Sequence, residues 1–344
     1  MIFWLIIILY LCSMKIAHLT FGEYPLFLAP MDEVTDASFR YVCKHFGADM
    51  MYTEFVAADG LIRDADSTVA KMQIHDYERP IGIQLYGHLM EPMLEAACIA
   101  EETAPDVIDL NFGCPMKKIA ARGAGAGMMR EPDKMIEMTR RIVDAVKIPV
   151  TVKTRLGWDD DSKIIVTLAE QLQDTGIAAL TIHGRTRAQV YKGEADWTLI
   201  GEVKRNPRMK IPIIGNGDVN SPQRAKEMFD RYGVDAIMIG RATYGHPWIF
   251  EEIKHYLATG ELLPDMPLKE RVALAKTHLQ KSIEVKGTHT GVLEMRRHLS
   301  NYFKALPNFK DTRSRLVTEN DPAKVVEILD YILEQWGKET NGEG

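Results

Sequence analysis

Seven stretches end an apolar run on polar residues, and together those residues could do chemistry. FLAPMD (27–32) ends on Pro30, Met31 and Asp32, and IQLYG (83–87) carries Gln84. DLNFGCPMKK (109–118) passes through Asn111 and Cys114 to Lys117 and Lys118. VTVKTR (150–155) supplies Lys153 and Arg155, and TIHGR (181–185) supplies His183 and Arg185. IIGNGD (213–218) ends on Asn216, Gly217 and Asp218, and AIMIGR (236–241) ends on Gly240 and Arg241. An ammonium such as that of Lys153, set in a strand whose alternate side chains point inward, is costly unless an anion meets it. Gly215, Gly217 and Gly240 let backbone N–H groups approach a phosphate, and Arg241 adds charge. A phosphate at one end, a cation in the middle and an amide at Gln84 suit a flat phosphorylated cofactor such as FMN, with Lys153 near its N1–C2 carbonyl edge. Phosphorylated sugars are held by similar loops, so these residues alone leave both open. Singly each has a plainer reading: Gln84 or Asn216 as a turn or cap, His183 as a satisfied core histidine.

The elements that must position these residues recur along the chain. β-rich apolar runs begin at 26, 49, 81, 106, 149, 179, 211 and 235, with amphipathic stretches such as DASFRYVCKHF and PDKMIEMTRRIVDAV between them. Ser221 followed by Pro222 reads as an N-cap and first helical residue. Eight strand–helix units predict a (β/α)8 TIM barrel, whose active site lies at the C-terminal ends of its strands. A doubly wound dinucleotide fold is rejected, because GAGAG (123–127) has the wrong spacing and lies too far beyond its strand. After the two-proline linker ELLPDMP (261–267) the pattern becomes helical. Leu268, Val272, Ala275, Leu279 and Ile283 form one apolar face; Val325, Leu329, Ile332 and Trp336 form another, with Asp321-Pro322 as cap and first residue.

Composition bounds the rest. With 344 residues the chain has room for a large domain and a smaller one. Its formal charge of −6 offers a polyanion no global attraction, so any nucleic-acid surface must be local. The 4 cysteines form no CxxC and the 10 histidines are scattered, which predicts no metal site and a reducing compartment. Residues 1–13 are strongly apolar but lack a basic start and are too short to span a bilayer. They read as an over-extended start before a cytoplasmic Met14, with no stable membrane association.

Taken together, APMDEVTD, IQLYG, DLNFGCPMKK, VTVKTRLGW, TIHGRTRAQVYKGEADW, GNGDV and IGRATYGHPWIF resemble the tRNA-dihydrouridine synthases, most closely the bacterial B-type branch, over about 24 to 310. The resemblance implies an FMN-binding TIM barrel over 14–257 and a helical tRNA-binding domain over 262–344. It implies that Pro30, Met31, Asp32, Gln84, Lys153, His183, Asn216, Gly217, Asp218, Gly240 and Arg241 hold the flavin. NADPH (or NADH) would be the reductant and tRNA the substrate, with the protein a monomer. Cys114 would donate a proton to C5 of uracil, and Asn111 would help hold that base. An unperturbed thiol, with a pKa of about 8.5, is mostly protonated at neutral pH, although nearby cations pull it down. Lys117, Lys118, Arg155 and Arg185 would serve the RNA. Ala120 departs from the family, which commonly has asparagine after the lysine pair.

Charge placement agrees with an RNA surface. From Cys114 to Arg130 the charged residues are Lys117, Lys118, Arg122 and Arg130, with no acid. From Gly291 to Leu316 six bases, Arg296 and Arg297 among them, face two acids. A solvated helix face is the plainer reading of that second cluster. A flavin barrel acting on a free pyrimidine or another small activated alkene is the rival enzyme.

Overall fold

In the computed structural model the described residues are 14–337, so the apolar extension expected over 1–13 lies outside them. Eight parallel strand positions form a ring: β1 (Leu26–Leu28), β2 (Met51–Tyr52), β3 (Ile81–Tyr86), β4 (Val107–Asn111), β5 (Val150–Arg155), β6 (Ala179–His183), β7 (Ile213–Asn216) and β8 (Ala236–Ile239). β8 pairs with β1, and a parallel bridge between Phe27 and Met50 joins β1 to the start of β2, closing the barrel. β2 is shorter than the apolar run beginning at 49; after a break the chain pairs with β3 again at Val56–Ala57.

Numbering helices of eight residues or more, α1 (Ala37–His45) follows β1, and α2 (Met90–Glu102) and α3 (Pro132–Ala145) follow β3 and β4. α4 (Ile165–Gln173), α5 (Thr198–Arg205), α6 (Pro222–Tyr232) and α7 (Ile249–Thr259) follow β5 to β8. After β2 there are two short turns instead, Ala58–Leu61 and Asp66–Ala70. The Ser221 side chain accepts the Arg224 N–H at 3.1 Å, capping α6 as its sequence predicts.

Strand alternation sorts the side chains. Ile108, Leu110, Val152, Leu180, Ile182 and Ile237 face outward into the core between strands and helices. Facing inward at the bottom, Phe27, Val107, Ala179, Ile214, Ala236 and Met238 make an apolar plug, sealed by Met14 and Ile16 from a small N-terminal hairpin. Further along the same inward rows come Gln84, Asp109, Thr151 and Thr181, and then Asn111, Lys153, His183 and Asn216. The barrel is thus apolar at its base and polar at its C-terminal mouth.

α8 (Leu268–Lys286), α9 (Thr288–Tyr302), α10 (Lys310–Thr318) and α11 (Pro322–Trp336) bury Leu268, Val272, Leu279, Leu299, Val325, Leu329 and Ile332 in a core of their own. Asp321 caps α11 by accepting the Ala323 N–H at 2.9 Å. Tyr302 and Phe303, the aromatics among the bases, are buried in this core. α8 packs on α1 of the barrel. Among the described residues no helix is long and apolar enough to cross a membrane.

Candidate active site

The polar mouth is organised by one buried carboxylate. Asp109 sits mid-strand on β4, accepting Thr151 Oγ1 on Oδ1 and Gln84 Nε2 on Oδ2, each at 2.6 Å. Burial pushes its pKa up to about 6, against the opposing pull of those hydrogen bonds and of Lys153. Gln84 Oε1 in turn accepts Asn111 Nδ2 at 2.9 Å. Asn111 Oδ1 then accepts two backbone donors, Gly113 N–H at 3.0 Å and Cys114 N–H at 2.9 Å. The chain Thr151–Asp109–Gln84–Asn111 therefore fixes the Gly-Cys-Pro corner from inside the barrel. Asp109 is absent from the residues singled out in the sequence. Its signal was there: an acid two residues before Asn111 in an apolar strand must share Asn111's inward face.

Cys114 is 8% exposed. Burial raises its thiol pKa, outweighing the Met116 N–H and the cations Arg155 and Lys153, which favour the thiolate. The cations that act on the thiol are Arg155 and Lys153 rather than the neighbouring Lys117 and Lys118 expected from sequence, and desolvation outweighs them. Arg155 is buried below the corner, its Nε donating to Gly113 O at 2.7 Å and its Nη1 to Thr186 O and Val190 O at 2.9 Å. Its guanidinium therefore holds loops together rather than facing outward.

Across the mouth, the Lys153 ammonium makes one hydrogen bond among the described residues, to Asn216 Oδ1 at 3.3 Å. Burial and Arg155 push its pKa down to about 8, with Asp109 pulling the other way. Asn216 completes its own pairing by donating Nδ2 to Met238 O at 2.7 Å. His183 is buried, and desolvation with the surrounding Arg155, Lys153, Arg185 and Arg241 holds it well below its ordinary pKa. Its Nε2 lies 3.4 Å from Arg185 Nη1, so the neutral ring accepts there and carries its proton on Nδ1.

The loops after β7 and β8 meet at Asp218. Its carboxylate accepts Arg185 at 3.0 and 2.6 Å, Arg241 Nη2 at 2.8 Å and the Ala195 N–H at 2.8 Å. Burial opposes ionisation, but those donors together hold the pKa low. Gly217 has φ +126°, and a Cβ there would come within 2.7 Å of Ala195 and 3.0 Å of the His183 ring, so only glycine fits. The backbone N–H groups of Gly217, Gly240 and Arg241 donate to no protein acceptor among the described residues. Such unspent donors beside a half-exposed arginine form an anion cradle.

The remaining expected residues lie on the rim. Pro30 and Met31 are half-buried after β1, while Asp32 is exposed and paired with Lys71 at 2.6 Å. Lys117 and Lys118 are exposed beyond Cys114 and make no ion pair among the described residues. Arg296 and Arg297 are not brought to the polar mouth's inner ring. Arg296 Nη2 donates to Asn320 Oδ1 at 2.7 Å, and Arg297 bonds Glu33. Tyr191, also not singled out from sequence, stands exposed on the long loop after β6, with Arg241 and Arg155 over its ring at 4.7 and 5.8 Å.

The comparisons with known proteins point the same way. The profile of a family described as dihydrouridine synthase (Dus) matches residues 27–335. A probable tRNA-dihydrouridine synthase of Rickettsia bellii is 38% identical over 319 residues, 92% of this chain and 96% of the relative. The tRNA-dihydrouridine synthase B of Pseudomonas aeruginosa is 38% identical over 322 residues, 93% of this chain and 95% of the relative. In fold the chain is similar to a morphinone reductase mutant in complex with tetrahydroNAD, with TM-score 0.53, 15% identity and coverage of 74% of this chain and 92% of that one. It is also similar to a 2-naphthoyl-CoA reductase, with TM-score 0.56 and 12% identity, covering 71% of this chain and about half (52%) of that longer one. The matched profile spans the barrel strands, the mouth residues and the C-terminal helices alike, and the chain belongs to the dihydrouridine synthase family.

Proposed function

We propose that this protein is a cytoplasmic, monomeric tRNA-dihydrouridine synthase that uses FMN and NADPH (or NADH) to reduce the C5=C6 bond of a uridine in tRNA. The observation that carries the reading is Cys114: a buried thiol with a raised pKa, its backbone held by Asn111 at the mouth of a barrel where Lys153 and Asn111 keep hydrogens unspent. The residues present fit a flavin. The free donors at Gly217, Gly240 and Arg241 suit its phosphate, and the two unused hydrogens of Lys153 suit an electron-rich ring edge. Pro30, Met31, Asp32, Gln84, His183, Asn216 and Asp218 complete that site; the Asp218 charge is offset by Arg185 and Arg241. Bound there, the flavin supplies the hydride that goes to C6 of uracil.

The protein's own residues would do the rest. Protonating a carbon requires an acid at a fixed place, and Cys114 Sγ would give its proton to C5. The raised pKa keeps that proton on sulfur at neutral pH. The thiolate left behind sits in the field of Arg155 and Lys153 until solvent returns a proton. Asn111 retains one amide hydrogen for a uracil carbonyl, because Gln84 takes only one. Lys117 and Lys118 would hold phosphates while the base leaves its stack for the pocket. The C-terminal helices would form a tRNA-binding domain.

The test is anaerobic. The flavin-loaded protein is reduced with NADPH, freed of excess nucleotide and mixed with unmodified tRNA or free uridine, and flavin reoxidation is followed by absorbance. Reoxidation by tRNA alone, with dihydrouridine in the product, is the expected result. Equal reoxidation by free uridine would transfer the reading to a small-molecule reductase. No reoxidation by either would overturn both.

A further inference from the structure

Three loops of the barrel mouth build a cationic stack that neither the flavin site nor the Cys114 corner uses. Trp158 lies three residues after β5 ends, and both Arg130 and Arg187 hold their guanidinium carbons over its ring, at 4.4 and 4.6 Å. Arg130 ends the turn that begins beside Cys114, where the Ala126 N–H donates to Cys114 O at 3.0 Å. Arg187 follows β6, and its loop is tied to that of Trp158 by Arg187 N–H to Gly157 O (2.9 Å) and Ala188 N–H to Trp158 O (2.8 Å).

What distinguishes this stack is its unspent hydrogen-bonding capacity. Among the described residues the Arg187 guanidinium meets no acceptor, and its Nε is buried without a partner. Arg130 makes a single bond, Nη2 to Ala120 O at 3.3 Å. The acids next in sequence turn elsewhere: Asp159 accepts the Ser162 hydroxyl at 2.6 Å, and Asp160 pairs with Lys163 at 3.1 Å. Two fixed, unneutralised guanidiniums present planar forks that match phosphate oxygens. A Trp ring that fixes their positions lowers the entropy lost when a ligand binds.

Position selects the ligand. The stack rises from the β4–β6 side of the mouth, whereas the C-terminal helices pack on the far side through α1. We infer that Arg130, Trp158 and Arg187 form a seat for the phosphodiester backbone of the RNA, across the pocket from the helical region. A strand held there and at the helices crosses the mouth at Cys114, which a free nucleoside cannot do. This inference rests on the tRNA reading above.

The test compares wild type with R130Q/R187Q in the flavin-loaded protein, measuring tRNA affinity across a salt series. Turnover of tRNA by the wild type checks the underlying reading separately. R140Q is the control for losing an arginine outside the stack, matched in charge to the single variant R130Q, since Arg140 is an exposed α3 arginine paired with Glu137. The double variant is expected to bind tRNA roughly tenfold or more weakly. The slope of log affinity against log salt should fall by roughly two, with R140Q unchanged. If the double variant folds poorly, R130Q alone carries the test, with a slope change of about one. Unchanged affinity and slope in a wild-type-competent background would overturn the seat. So would intact RNA binding with slowed reduction by NADPH, which would assign the stack to the reductant's phosphates.

Discussion

Two buried polar clusters lie within one protein, and they are built on opposite principles. At the barrel mouth, Asp109, Gln84 and Asn111 form one hydrogen-bonded chain and Lys153 and Asn216 a separate pair, yet hydrogens on Lys153 and Asn111 remain free. At the junction of α1 with the C-terminal helices the cluster turns inward on itself. Asp36 caps α1 through the Phe39 N–H at 2.9 Å and accepts Ser38 Oγ at 2.6 Å, and Lys286 bonds both Asp36 and Glu294. His278 lies between Ser38 Oγ at 3.3 Å and Tyr302 O–H at 3.0 Å. Burial alone therefore does not mark function. The difference is whether donors are left unspent, as on Lys153 and Asn111, or largely consumed by neighbours, as around Asp36 and His278, where the His298 ring is the exception.

The comparison breaks first at Cys114. C114A should lose roughly two to four orders of magnitude in dihydrouridine formation. Its flavin should still bleach on adding NADPH; near-wild-type product would remove the thiol from its role. Next is Lys153: K153A should weaken flavin binding roughly tenfold or more, read by fluorescence titration. Because burial has pushed this lysine down to about 8, the flavin-free wild type loses the ammonium as pH rises through that value. Flavin affinity should fall there in wild type and stay flat in K153A. Identical profiles would show that Lys153 does not face the flavin.

The junction should respond in stability rather than chemistry. Burial pushes His278 down to about 4 and holds His298 well below its ordinary value. Between the unfolded histidine pKa of about 6.5 and pH 4 the unfolded chain binds protons that the folded one refuses. Stability should therefore decline as pH falls through that window, by up to about 1.4 kcal/mol per pH unit for each histidine. Asp36 adds to the loss further down. Lys286 and the two histidines hold its carboxyl low against desolvation, so its contribution disappears as pH drops below the unfolded value. Urea melts at pH 7, 6 and 5 check this, and coincident midpoints would refute it. The smallest effect is expected of H298F. Both His298 ring nitrogens are buried without a partner and its ring stacks on Phe39 at 4.7 Å, so the variant should be neutral or up to about 1 kcal/mol more stable. A loss of several kcal/mol would reveal a partner for that ring.

Much of this was legible in the chain because it is local. Strand alternation and helix periodicity announce the barrel, and Ser221 and Asp321 announce their caps through chemistry spanning two or three residues. The inward row of β4 places both Asn111 and Asp109 on one face, but the role of a mid-strand acid depends on partners from other strands, here Gln84 and Thr151. Arg155 and Arg185 looked like hands for a ligand. Folding directs many of their donors to the carbonyls of Gly113, Thr186, Val190 and Lys192, which are up to 42 residues away in sequence.

The sequence by itself determined which residues stand at strand ends, that an acidic protein carries two basic stretches, and that Cys114 sits at a stiff corner. Periodicity, turn chemistry and composition act over a few residues and need no partner. Only the tertiary structure decided which donors stay unspent, that burial outweighs nearby cations at the thiol, and that Arg130 and Arg187 share Trp158. Desolvation and hydrogen-bond satisfaction depend on what the rest of the chain places alongside, and that is set by closure of the barrel.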